Sequence, residues 1–162
     1  MKTLSKVVAA ILVISAGTLM HFIHELPGFN HFWGYVFPVN ECVWEHMKMV
    51  VWPMLGLSFF LCCKDKSVKP IGGPVLAAVI AIPLQILLFY TYWPFTHKAV
   101  LIADIILYAV VMYAATMLGI KWSSNGNVRN KWQIWAIAAL GLICLLGYLT
   151  YHPLDMFLFE VS

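Results

Sequence analysis

The chain has 162 residues, 62% of them hydrophobic and only 10% charged, with a net charge of +3. So low a charged share excludes an ordinary soluble domain, where about a quarter of residues are charged. The basic excess is too small, and its lysines too scattered, to make a nucleic-acid surface, so no nucleic-acid partner is expected.

In chain order, Lys2 and Lys6 precede the apolar run Val7 to Ile14, and Ser15-Ala16-Gly17 follows. This has the outline of a secretory signal. We read it as the first of five apolar segments, at residues 4–24, 40–63, 74–92, 99–120 and 132–151. Each holds about 19 to 24 residues, which at 1.5 Å per residue matches a hydrocarbon core of about 30 Å. The expected fold is therefore all-α: a single polytopic membrane helix bundle with five transmembrane helices.

Basic residues orient the spans. Lys2 and Lys6 precede the first; Lys64, Lys66 and Lys69 separate the second from the third; Lys121, Arg129 and Lys131 separate the fourth from the fifth. By the positive-inside rule the N-terminus is cytoplasmic and the C-terminus extracytoplasmic. Pro53 and Pro83 fall inside spans and are expected to kink them. Cys42, Cys62, Cys63 and Cys144 lack the spacing of a metal ribbon or redox pair and read as reduced packing residues.

Ionisable residues collect at the outer ends of the spans. The densest stretch is Asn40-Glu41-Cys42-Val43-Trp44-Glu45-His46-Met47-Lys48. Charges beside a bilayer cost several kcal/mol unless paired, hydrated or metal-bound, which makes this stretch a functional-site candidate. His21, His24 and Glu25 share one helical face, as Glu41 and Glu45 are expected to do at i, i+4. His97, Asp104 and Tyr108 open the fourth span, and His152 closes the fifth.

Four helices thus bring imidazoles or carboxylates to one depth, and a common extracytoplasmic pocket follows. His21, His24, His46 and Asp104 are candidate ligands of a divalent metal, zinc by preference, since imidazole and carboxylate are its usual hard or borderline donors. Glu41 and Glu45 are candidate general bases. Glu25, Asn40, Lys48, His97, Tyr108 and His152 complete the pocket.

Structural roles compete with these assignments. Glu45 and Lys48 are spaced for an i, i+3 ion pair, Asn40 for a helix N-cap, and Asp104 for a buried interhelical hydrogen bond. The aromatic run Phe29 to Pro38 reads as an interfacial belt or as a lid over the pocket.

His21-Phe22, Asn30, Pro38-Val39-Asn40-Glu41 and Trp44-Glu45-His46-Met47-Lys48 together resemble an uncharacterised family of small bacterial integral membrane proteins, a domain of unknown function. The likeness is concentrated in residues 20–55. It implies a multi-pass protein of the bacterial cytoplasmic membrane and supplies no activity.

The leading functional reading is a metal-dependent hydrolase acting on a membrane lipid or lipid-linked substrate. The alternatives are a non-catalytic module binding a protein partner, haem or quinone, and a small ion or solute transporter. The transporter would need a homodimer, because the cytoplasmic halves of the spans carry almost no polar groups.

Overall fold

A computed structural model describes residues 2–23, 31–96 and 100–160, with the backbone alone at His31. His24, Glu25 and His97, all singled out above, lie outside the described residues.

Among those residues the regular elements are helices: α1 (Thr3–Ile23), α2 (Val43–His46), α3 (Lys48–Asp65), α4 (Gly72–Thr96), α5 (Leu101–Trp122), α6 (Gly126–Asn130) and α7 (Trp132–Tyr151), with short 3-10 turns at His31–Tyr35, Lys69–Ile71 and Phe157–Phe159. Five stretches, Thr3–Ile23, Val43–Asp65, Lys69–Thr96, Leu101–Trp122 and Trp132–Tyr151, are long and apolar enough to cross a membrane.

The helices are apolar on nearly every face, so which side packs inward is decided by side-chain size rather than by polarity. On α1 the inward stripe is Ala10, Val13, Gly17 and Met20, while Leu12 and Leu19 stay about two-thirds exposed. On α5 it runs Tyr108, Val111, Met112, Ala115, Thr116 and Gly119, again at helical spacing. Large aliphatic residues such as Ile102 and Ile137 point outward, the reverse of a soluble surface.

At the centre lies α3, packed against α1, α4, α5 and α7, with Val50, Val51 and Met54 fully buried. Small residues let α4 and α5 meet closely: a methyl group at Gly73 would collide with the Gly119 carbonyl and the Ser123 backbone.

The second span begins later than its hydropathy suggests. Asn40 and Glu41 precede the helix, Cys42 occupies the N-cap position, and Asn40 Oδ1 accepts a hydrogen bond from Cys42 N at 3.0 Å in an Asx turn. The expectations that Asn40 caps the helix directly and that Glu41 and Glu45 share a helical face are therefore corrected. A one-residue break at Met47, still in right-handed helical geometry, separates α2 from α3. Helix α4 continues past Tyr92 through Pro94 to Thr96. In apolar surroundings a helix keeps nearly all backbone groups paired, so losing single bonds at Pro83 and Pro94 costs less than unwinding.

Gly17 is the tightest contact between α1 and its neighbours. An added Cβ would overlap the Tyr108 hydroxyl and approach the Met49 carbonyl oxygen to 2.7 Å. The hydroxyl donates to that same carbonyl at 3.0 Å, so it cannot swing away without breaking the bond. Gly17→Ala is expected to destabilise the bundle by about 1–3 kcal/mol through overpacking. Unfolding of the purified protein in mixed micelles measures this, and an unchanged midpoint would refute the close approach.

Candidate functional site

Three of the sequence-selected residues meet. The His21 ring comes from the end of α1, His46 from α2, and Glu41 from the turn before it. Glu41 Oε1 lies 3.7 Å from His21 Nε2, and Glu41 Oε2 lies 3.5 Å from His46 Nε2. The imidazole centroids are 5.3 Å apart, and one ligand atom from each of the three residues falls within 4.8 Å of the others.

Those separations exceed the 2.7–3.2 Å of an N–H···O hydrogen bond. They approach the edge of about 3.3 Å expected between ligands held about 2.0–2.1 Å from a tetrahedral zinc ion.

The protonation of His46 follows from its surroundings. Its Nδ1 sits 2.8 Å from the Cys42 carbonyl oxygen, which can only accept, so Nδ1 carries the hydrogen. In the neutral ring the Nε2 lone pair then faces the Glu41 carboxylate. A proton on Nε2 or a cation between the two groups would reconcile them, and a carbonyl-anchored imidazole is an arrangement that metal ligands also use. Cys42 itself is buried, and burial pushes its thiol above the ordinary range, so it remains a neutral packing group.

Glu41 is 60% exposed, while His21 and His46 are 25% and 31% exposed. Their cluster forms the open end of a cavity of about 260 Å³ between α1, α2, α3, α4 and α5. Asp104 and Tyr108 also line it, together with Gln85, Phe89, Leu101 and Ile105. Asp104 Oδ1 accepts a short hydrogen bond from the Tyr92 hydroxyl, which joins α5 to α4. Gln85, isolated in the sequence, emerges as a lining residue because α4 turns that face toward α5.

Glu45 and Lys48 lie beside this cavity rather than on its wall, and both are almost wholly buried, at 1% and 0% exposed. Lys48 Nζ donates to Glu45 Oε2 at 2.5 Å, to Gly34 O at 2.6 Å and to Phe37 O at 3.3 Å. Glu45 Oε2 also accepts from Val39 N at 2.9 Å, and Glu45 Oε1 accepts from Thr150 Oγ1 at 2.9 Å. The pair therefore clips the aromatic segment 34–39 and α7 onto the start of α3. Thr150 was not singled out in the sequence, where a threonine inside an apolar span carries no signal of its partner.

His152 stays exposed at the end of α7 and stacks on Tyr148 at a centroid separation of 4.7 Å, outside the cavity lining.

Fold and site together define a five-helix apolar bundle, of membrane-spanning dimensions, with a His/Glu/His cluster at the mouth of an apolar cavity. The chain belongs to DUF6512, a family of unknown function whose model matches residues 2–162. No curated protein and no solved structure matches it.

Proposed function

We propose that this protein is a multi-pass membrane protein that holds a divalent metal ion, zinc by preference, on His21, Glu41 and His46 and hydrolyses a lipid or lipid-linked substrate whose apolar part enters the adjoining cavity. The observation that carries the reading is the convergence of two imidazoles and a carboxylate at the open end of an apolar cavity. Three protein ligands leave a coordination position open, and a divalent ion there lowers the pKa of a coordinated water toward about 7.

Within this reading Glu41 acts as ligand rather than base. Asp104, on the same cavity wall and oriented by the Tyr92 hydroxyl, is the carboxyl group suited to accept a proton from the attacking water. Glu45 has both oxygens engaged, so its contribution is to hold the segment bearing Glu41 in place. The distribution of Lys and Arg supports a cytoplasmic N-terminus, with the cluster on the extracytoplasmic side of a bacterial cytoplasmic membrane.

Elemental analysis of gently extracted protein should give close to one equivalent of metal, removed by chelation and restored by added zinc. Hydrolysis of a membrane lipid extract, followed by mass spectrometry, should require that metal and fall when Asp104 is changed to Asn. Metal-free protein from a metal-replete culture would overturn the proposal.

A further inference from the structure

The cavity wall is chemically lopsided. Thr18 donates its hydroxyl hydrogen to Ile14 O at 3.0 Å, and Tyr108 donates its own to Met49 O at 3.0 Å, so both donors are spent on backbone. Among the described residues no Lys or Arg lines the cavity, and nearby Lys48 is committed to Glu45, Gly34 and Phe37. An anionic group thus finds a counter-charge only at the cluster, from a protonated imidazole or a bound cation.

Deeper in, the balance tips toward acceptors. Gln85 lines the cavity, and among the described residues its buried Oε1 has no hydrogen-bond partner. A buried acceptor left unmatched is costly, and a terminal amide turns readily because its last torsion is broad. Gln85 lies seven residues before Tyr92 on α4 (92 − 85 = 7). At 1.5 Å per residue this sets it roughly 10 Å further along the helix than the Tyr92–Asp104 pair. The lining residues that follow toward Gln85 on the two helices include the apolar Phe89 and Ile105.

We infer that the cavity selects an amphiphile bearing a hydroxyl or amide group within its apolar chain, about two helical turns below the level of the Tyr92–Asp104 pair, where the Gln85 side-chain amide hydrogen-bonds to it. Gln85 is thereby a specificity residue, and the ligand class is a hydroxylated or amide-bearing lipid rather than one with plain hydrocarbon chains. The inference rests on the proposed function only for which group of that lipid is cut. Recognition at Gln85 does not require the metal.

The test is a competition between two medium-chain fatty acids that differ only by a terminal hydroxyl. They are supplied in equal amounts to the full-length protein in micelles, and occupancy is read by native mass spectrometry, with and without prior chelation. The hydroxylated acid should be favoured about tenfold, a ratio equivalent to about 1.4 kcal/mol, in both metal-loaded and metal-free protein.

Gln85→Leu should bring the ratio to near unity. Gln85→Met, which keeps an unbranched side chain, should do the same and guards against a folding defect in the first variant. Equal occupancy in the unmodified protein, binding of neither acid, or a preference that survives both substitutions would overturn the inference. Absence of metal in the elemental analysis, with the preference intact, would remove the hydrolase reading alone.

Discussion

Lys48→Met is expected to destabilise the bundle by about 3–5 kcal/mol, because it leaves a carboxylate buried without its countercharge. All three ammonium hydrogens of Lys48 have acceptors in the structure, on Glu45, Gly34 and Phe37. Removing the side chain therefore strands two carbonyls as well as Glu45. Met fills nearly the same volume, so little of the loss arises from a cavity.

The double variant Glu45→Gln with Lys48→Met should recover most of that stability. A neutral amide oxygen still accepts from Val39 N or Thr150 Oγ1, and no charge remains to be compensated. Lys48→Arg should not rescue, since a planar guanidinium does not fit a site built around a compact ammonium. Denaturation in mixed micelles measures all three; a loss below about 1 kcal/mol for Lys48→Met would show that the pair is hydrated rather than buried.

His46→Ala is expected to weaken zinc binding by more than the roughly 10–100-fold that follows loss of an outer-shell partner, since here a ligand itself is removed. The loss should appear with little change in fold, because the ring is about one-third exposed and hydrogen-bonds the nearby Cys42 carbonyl. Glu41→Gln should act in the same direction, replacing an anionic donor with a neutral amide. His152→Ala should leave binding unchanged, since that ring stacks on Tyr148 at the far end of α7 from Trp132 and lies off the cavity wall. Competition against a chromogenic chelator reads all three affinities. Equal zinc affinity in the wild type, His46→Ala and Glu41→Gln would place any bound metal elsewhere.

Much of this architecture was legible in the residues. Runs of about twenty apolar residues are a local property, and the cost of unpaired backbone in hydrocarbon converts them into helices whatever their neighbours. The i, i+3 spacing of Glu45 and Lys48 announced an ion pair, and that pair is present. A common pocket at the helix ends was the expectation, but the meeting of His21 and His46 with Glu41 in particular was not.

Other features depended on contacts between distant segments. The Asx turn at Asn40 delays the start of the second helix to Val43, leaving Glu41 beside the imidazoles and Glu45 facing inward. Thr150 reaches Glu45 across 105 residues of chain, and Tyr92 meets Asp104 of the next helix. Hydropathy and length, each summed along the chain, were enough to find the five helices long and apolar enough to cross a membrane, though not all of their ends. Which acid binds a lysine and which faces the histidines turned on a few ångströms of backbone path and on the burial made by packing, quantities that no local pattern encodes.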